Sequence, residues 1–280
     1  MRNSLKSLRK DKRAASPAIS TVIITAAVVV MVLVAMTYAE NILSMKMAEN
    51  EFSSNQQFMR TTSQQIDDIA WMVGRTQTVS YSGRYGQVSF LPDVLTYTFE
   101  VHTTSSGWQP AMSYTTGIIM FNMPVSALSK GNNYFERVPN YANSSFIQSG
   151  SSAPVAQVFS IEKLPMSDGS YVRTVVVPTV RVLGSDDNFK FYLPTLDNGT
   201  NLYRSQSITM VGNDISKLPK VVQDVDLVKV TVTFNKADQG FDSSFFNFGN
   251  PVNSVETEAL PANSHVEIYV GNVVVTIGQV

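Results

Sequence analysis

The hydrophobic periodicity of the chain changes once, close to residue 74, and the two parts predict different secondary structures. Residues 18–73 form a stretch of 56 positions without Gly or Pro. Pro17 before it suits the first turn of a helix, and Gly74 after it suits the position beyond the last turn. After Gly74, apolar and polar residues alternate, which is typical of half-buried strands. The pattern predicts an α+β protein, with a long N-terminal α-helix followed by an all-β, sandwich-like head.

The first half of the predicted helix is apolar on every side. Residues 14–39 form a run of 26 positions without a charge, and about 20 apolar residues are enough to span a bilayer. Residues 1–14 hold six of the 21 basic residues, and acidic residues begin after the run, at Glu40. This asymmetry predicts a membrane-spanning helix with its N-terminus inside and the head outside. A nucleic-acid-binding arm is the other interpretation of the basic segment, and the apolar run that follows argues against it.

The second half of the predicted helix is polar except for one stripe that repeats every seven residues. The stripe contains Tyr38, Met45, Phe52, Met59, Ile66 and Val73. We expect Met45, Phe52, Met59 and Ile66 to pack against the protein's own head, and packing against a neighbouring subunit is the alternative. Weak helix formers at residues 53–55 and 61–63 mark two positions where a break would not be surprising.

The junction between the basic segment and the apolar run carries a processing pattern. Arg13 and Ala14 precede Ala15, and a Ser-Pro-apolar segment opens the helix. Over residues 9–40 the chain resembles the class III signal of archaeal type IV pilins and pilin-like proteins. The resemblance implies that a prepilin peptidase cuts between Ala14 and Ala15 on the cytoplasmic side, and that the apolar helix stays in the mature protein.

The resemblance has one departure, and the processing pattern has one competing interpretation. Ile19 stands where bacterial pilins carry a Glu, which archaeal members commonly lack, and a Gly-containing start typical of archaellins is missing. The chain is therefore most similar to adhesion-type or accessory pilins.

An ordinary secretory signal has an apolar region of about 7–15 residues and a small-residue cleavage site. The run here is longer, and its end at residues 36–39 matches such a site poorly.

The family resemblance implies a structural function, as a subunit of a type IV pilus-like surface filament used for attachment. Ile19, Ile23, Val29 and Leu33 are then expected to pack in the helical core of the filament. The implied partners are the prepilin peptidase, the pilus assembly machinery, the membrane, and self or other pilins, with no nucleic acid. The precursor would lie in the cell membrane with its head outside, and the assembled protein at the cell surface. A single-pass surface binding protein or adhesin that does not polymerise is the alternative.

These patterns divide the chain into a basic leader (1–14), an apolar helix (15–39), its amphipathic continuation (40–74) and a β head (75–280). The clearest strand patterns, at residues 95–102 and 228–234, are joined by others at 155–161, 171–183, 189–193, 207–211 and 266–270. Hairpins are expected between residues 76–81 and 87–90, and across residues 266–277 with a tight turn at Gly271-Asn272. Residues 103–154 look least regular and are expected to form an exposed excursion.

The sequence offers little chemistry for catalysis. Cys is absent, which excludes disulfides and thiolate sites, and the two His residues, His102 and His265, are expected at the surface. We find no nucleophile, metalloprotease or nucleotide-binding motif. We therefore expect no enzyme, no cofactor and no metal, and an exported carbohydrate-active enzyme is the weakest of the three functional hypotheses.

Several polar and aromatic groups in the head have two interpretations each. Asp186-Asp187-Asn188 and the pair Asp224 and Asp226 suit either turns or a Ca²⁺ site, and turns are the commoner use of Asp and Asn. Asn143 and Asn198 open N-glycosylation sequons in an exported domain. An aromatic cluster is expected to plug the core under a loop, with an adhesive patch as the alternative. Its members are Phe241, Phe245, Phe246 and Phe248.

Overall fold

The computed structural model describes residues 15–124, 126–128, 135–138, 146–162, 171–199, 202–203, 206–217, 222–236 and 254–279. Over these residues it contains helix α1 (Ala15–Ala70) and thirteen strands. The strands are β1 (Thr76–Ser80), β2 (Gln87–Thr103), β3 (Gly107–Pro124), β4 (Phe135–Val138), β5 (Ile147–Ser149), β6 (Ala156–Glu162), β7 (Tyr171–Pro178), β8 (Val180–Ser185), β9 (Asn188–Asn198), β10 (Leu202–Tyr203), β11 (Ser207–Lys217), β12 (Val222–Phe234) and β13 (Ser254–Gln279). The predicted α+β class, with a helix before a β-rich head, is confirmed.

Helix α1 runs without a break through both segments of weak helix formers. The Thr62 hydroxyl donates to the carbonyl of Phe58 at 3.0 Å, and the Asn55 amide donates to the carbonyl of Glu51 at 3.0 Å. Both side chains bond to backbone carbonyls of the preceding turn, so their polar groups have partners within the helix. The helix ends at Ala70, and Gly74 lies in the following turn with a φ of 82°.

The chain forms two compact units. Residues 15–47 belong to the first unit, and the second is Ala48–Val280. The second unit therefore includes the last 23 residues of α1 and begins well before residue 75, where the sequence pattern had put the start of the head. These helical residues are part of the core of the head.

The strands form one large mixed sheet, consistent with the expected sandwich-like head. Its central order is β4-β6-β7-β3-β2-β12-β13-β9-β8-β5, and β1, β10 and β11 join at the side. Neighbours β2, β3 and β12 pair antiparallel, whereas β13 and β9 pair in parallel. Many of these pairs join strands that are far apart in sequence.

The predicted C-terminal hairpin is wrong. β13 continues from Ser254 to Gln279, and Gly271 pairs with Pro194 of β9 on one side and Ile215 of β11 on the other. Gly271 serves close packing rather than a turn: a Cβ there would lie 2.2 Å from the carbonyl oxygen of Ala70, at the end of α1. The missing side chain lets the helix end rest on the strand.

Two other expectations about the head are also corrected. Residues 76–81 and 87–90 do not form a hairpin, since β1 pairs with β11 and β2 pairs with β3. Residues 107–124 are no exposed excursion but a central strand, β3, in which Ile118, Ile119 and Phe121 are fully buried. Both faces of this part of β3 pack against apolar residues, so its pattern is not alternating.

The buried apolar residues form two clusters. The sheet cluster joins Tyr97, Phe99 and Phe191 with residues of β3, β7, β12 and the first half of β13. The helix cluster joins Phe52, Met59, Ile66 and Ile69 of α1 with the opposite faces of β3 and β7 and the second half of β13. The second half of α1 thus supplies one side of a core that the sheet alone would leave open.

We predict that Gly271→Ala lowers the free energy of unfolding by about 1–3 kcal/mol, because the new methyl group must displace the end of α1. Gly107→Asn is the control. Gly107 has a φ of 68° with open space around its Cβ position, and Asn accepts this conformation at little cost. Equilibrium denaturation of the two variants measures the difference. Equal stability of Gly271→Ala and the wild type would contradict the packing described for the helix end.

Candidate functional site

The largest exposed apolar surface in the described part of the chain lies on the first half of α1. Sixteen large apolar side chains between residues 19 and 45 are 43–70% exposed. They are Ile19, Val22, Ile23, Ile24, Val28, Val29, Val30, Met31, Val32, Leu33, Val34, Met36, Tyr38, Ile42, Leu43 and Met45. We call this set the apolar helix surface.

The apolar helix surface surrounds the helix. Residues 28–34 are consecutive and all apolar, and seven residues cover almost two turns, so they point in every direction. An 18-residue window within Ile19–Ala70 has a mean hydropathy of 2.8, and none of that window is buried in the chain. By length and composition this helix can span a membrane.

The residues expected in a filament core all belong to the apolar helix surface. Ile19, Ile23, Val29 and Leu33 are 52–62% exposed. No part of the described chain covers them.

The seven-residue stripe divides at the boundary between the two units. Phe52, Met59 and Ile66 are at most 3% exposed and lie in the helix cluster of the head. Met45 does not follow the expectation: it is 47% exposed, because it precedes Ala48, where the head unit begins. Tyr38, earlier in the helix, and Val73, beyond its end, are exposed as well.

A carboxylate fixes the second half of α1 to the loop between β1 and β2. Oε1 of Glu51 accepts hydrogen bonds from the backbone amides of Arg84, Tyr85 and Gly86, each at 3.0 Å. The Asn55 side chain, one turn later, donates to the carbonyl of Ser82 at 2.8 Å. Three successive amides around one carboxylate form a strong anion site. The sequence carried no signal for this contact, because the amides belong to the backbone.

A second polar contact fixes the last turns of α1. Arg181 of β8 donates to both carboxylate oxygens of Asp67, at 2.8 and 3.0 Å. The Trp71 indole N–H donates to the same carboxylate at 3.0 Å, and the Arg181 guanidinium lies over the Tyr192 ring. Bidentate geometry makes such a pair directional, so it sets the rotation of the helix on the sheet.

The Asp residues considered as Ca²⁺ ligands adopt other roles. Asp186 and Asp187 form the two-residue turn between β8 and β9, and Asp186 has a φ of 54°. Asp224 has a φ of 59° at an irregularity of β12. Within the residues that the structure describes, no group of three His, Cys, Asp or Glu side chains is arranged to hold a metal.

The two His residues lie in different surroundings. Nδ1 of His102 is 2.6 Å from Oδ1 of Asp226, on the partly exposed face of β2 and β12. This hydrogen bond lowers the pKa of Asp226 below its ordinary value. His265 lies in β13, half-buried, and its backbone amide donates to the carbonyl of Asp187 at 2.6 Å.

Several predicted site residues lie outside the described residues. These are Arg13 and Ala14 of the cleavage pattern, Asn143 of the first sequon and the aromatic cluster at residues 241–248. Ala15 is the first residue of α1. Asn198 is exposed at the end of β9, while the third residue of its sequon, Thr200, is among those not described.

Comparisons with known proteins add no functional residue. No protein-family model matches the chain, and neither a curated protein nor a solved structure matches it significantly. The features that bear on its function are the apolar helix surface and the processing pattern at residues 13–15.

We predict that Glu51→Gln lowers the free energy of unfolding by about 1.5–3 kcal/mol, because three amides lose their charged acceptor. Hydrogen exchange at Arg84, Tyr85 and Gly86 should become faster. Glu40→Gln is the matched control, since Glu40 is exposed on the same helix. If amide exchange at residues 84–86 is unchanged in Glu51→Gln, the carboxylate does not hold this loop.

We predict a pH-dependent effect for Asp226→Asn. Because the pKa of Asp226 is lowered in the folded state from an ordinary 3.8, its stabilising contribution is present above that value. The contribution is lost as the pH falls through the folded-state pKa. The variant should therefore be less stable than the wild type above the ordinary pKa of 3.8, with the gap closing as the pH falls below it. Asp214→Asn, on an exposed part of β11, is the control. A gap that stays constant over this range would contradict the His102–Asp226 interaction.

Proposed function

We propose that this chain is a structural subunit of a type IV pilus-like surface filament, assembled through its retained N-terminal helix. The observation that carries the proposal is the apolar helix surface, exposed on all sides between residues 19 and 45. The processing pattern at Arg13, Ala14 and Ala15 supports it. The proposed role is structural and involves no catalytic step and no cofactor.

The apolar helix surface has to be covered in the cell. Burying one large apolar side chain contributes about 1.5–3 kcal/mol, so sixteen of them correspond to tens of kcal/mol on that scale. A partner that docks on one side would cover only part of a surface that surrounds the helix. A bilayer covers all sides, and so does a bundle of identical helices. The proposal uses both in turn, the membrane for the precursor and the helical core for the filament.

Features of the helix itself favour assembly over a simple anchor. Small residues at Ala26, Ala27 and Ala35 allow neighbouring helices to approach closely. A bilayer alone places no demand on small side chains.

Attachment would be mediated by the heads. In this proposal a prepilin peptidase removes residues 1–14, the assembly machinery extracts the helix from the membrane, and the head faces the solvent. The exposed Asn198 is then available for glycosylation at the cell surface. The alternative is a single-pass surface binding protein, with the same head, that stays in the membrane.

We predict that Val29→Asp abolishes filament assembly, because a charge without a partner in the packed helices costs several kcal/mol. Val255→Asp is the matched control: Val29 is 52% exposed and Val255, in the head, is 44% exposed. Electron microscopy of filaments sheared from cells gives the readout. Normal filament yield from Val29→Asp would contradict the proposed packing.

The double variant Ala26→Leu/Ala27→Leu separates a filament subunit from a membrane anchor. Leu is more apolar than Ala, so a simple anchor should insert as before, whereas closely packed helices should be pushed apart. We predict a normal amount of protein in the membrane fraction and few or no filaments. Ala259→Leu, at an exposed position of the head, is the control. Absence of filaments from the wild type in its native host would favour the anchored surface protein instead.

A further inference from the structure

Trp108 is an exposed aromatic side chain held rigidly on the head. It is 43% exposed and is the second residue of β3, directly after Gly107, whose φ of 68° closes the turn between β2 and β3. The Thr103 hydroxyl accepts a hydrogen bond from the amide of Ser106 within this turn, at 3.2 Å. Opposite Trp108 in the register is His102. The backbone around the indole is therefore fixed at the tip of a tight hairpin.

Polar side chains from β2 and β12 support the indole. The ring centroids of His102 and Trp108 are 5.2 Å apart in an edge-to-face arrangement, and the Lys229 ammonium lies 4.8 Å from the centroid of the indole. Each of these two side chains has a carboxylate partner: His102 pairs with Asp226, and Lys229 with Glu100. Aromatic and cation–π contacts orient the ring. The accessible part of Trp108 is then an apolar surface with donors and acceptors at its edge.

The same face of the sheet continues as a polar surface. Thr98 and Ser113 hydroxyls lie 3.3 Å apart across β2 and β3, and so do those of Thr96 and Thr115. These side chains alternate with the buried Tyr97 and Phe99. A row of hydroxyl groups, each both donor and acceptor, thus leads away from the indole.

We propose that Trp108, with Glu100, His102, Asp226 and Lys229 around it, forms a binding site for a neutral saccharide. A pyranose ring presents C–H groups on one face and hydroxyls at its edge, which matches an aromatic surface rimmed by polar groups. The carboxylates can accept hydrogen bonds from the hydroxyl groups of the saccharide, and the lysine ammonium can donate hydrogen bonds to the oxygen atoms of those hydroxyl groups. This inference goes beyond the filament function and does not depend on it.

The charges at the site favour a neutral ligand over a charged one. Glu100 is paired with Lys229 and Asp226 with His102, so both carboxylates already have a partner. A polyanion would meet Glu100 and Asp226, and a cationic ligand would meet Lys229. A hydroxyl-rich ligand needs no net charge and can use the lone pairs that the ion pairs leave open. A protein partner with Trp108 as its anchor is the competing occupant, and the test separates the two.

The experiment measures saccharide binding by the full-length chain in a detergent without a sugar headgroup. The probes are neutral hexasaccharides of glucose, mannose, galactose and N-acetylglucosamine. Their binding is monitored by saturation-transfer NMR on the sugar signals. We expect saturable binding of at least one probe, with the dissociation constant raised at least about tenfold by Trp108→Ala. Glu100→Gln and Lys229→Met should each weaken binding less.

Two controls show whether the effect belongs to this site. Val255→Ala changes a side chain of similar exposure, 44% against 43%, and should leave binding unchanged. Trp71→Phe removes the other of the two Trp residues and should also leave it unchanged. Thermal unfolding of Trp108→Ala should remain close to that of the wild type, which shows that a loss of binding is local.

Three outcomes would overturn the saccharide site. The first is no saturable binding of any probe up to about 10 mM, and the second is binding that Trp108→Ala leaves unchanged. The third is loss of filament formation or of a protein contact in Trp108→Ala without any saccharide binding, which would assign the indole to a protein interface. Val29→Asp should still bind saccharide, so failure of filament assembly and failure of this site are distinguishable.

Discussion

Residues 48–70 of α1 share one apolar core with strands that include β3, β7, β11 and β13, and the packing of the head depends on this contact. Phe52, Met59 and Ile66 fill the space beside β3 and β7, while Gly271 lets the helix end touch the backbone of β13. A sheet with such long-range pairings as β2 with β12 and β9 with β13 benefits from a common surface, because each of these pairings closes a long loop. Apolar burial supplies the free energy, and the Glu51 carboxylate fixes the loop that leads into β2.

The same helix carries a second apolar surface that the described part of the chain does not cover. Sixteen large apolar side chains between residues 19 and 45 are of the same types as those in the core and yet are 43–70% exposed. A surface that surrounds a helix is satisfied by lipid or by like helices, and a filament precursor meets both environments. The head, with its exposed Trp108 and hydroxyl-bearing strands, offers the contrasting polar surface. In our proposals the apolar helix surface serves assembly, and the polar surface of the head serves recognition.

Local patterns in the sequence predicted local structure well and long-range pairing poorly. The helix and the alternation at residues 95–102 and 228–234 were evident, because periodicity reports which side of an element is buried. Gly271-Asn272 has the composition of a turn, but the glycine accommodates Ala70, which is distant in sequence. The pairing of β1 with β11 leaves no local signal, and neither does a carboxylate bound by backbone amides. Met45 belongs to the stripe with a seven-residue repeat, but it lies before Ala48, where the head unit begins, and so it is not buried by the head.

The retained helix is the central claim, and the N-terminus of the protein isolated from its native membranes tests it most directly. Intact mass and N-terminal sequencing should show a chain that begins at Ala15, which would mean removal of the basic segment with the apolar helix kept. Arg13→Asp, which changes the basic residue of the processing pattern, should give an uncut product. A wild-type chain that begins at Glu40 would mean an ordinary secreted domain, and an uncut wild-type chain would mean a single-span surface protein. Either result would contradict the filament subunit.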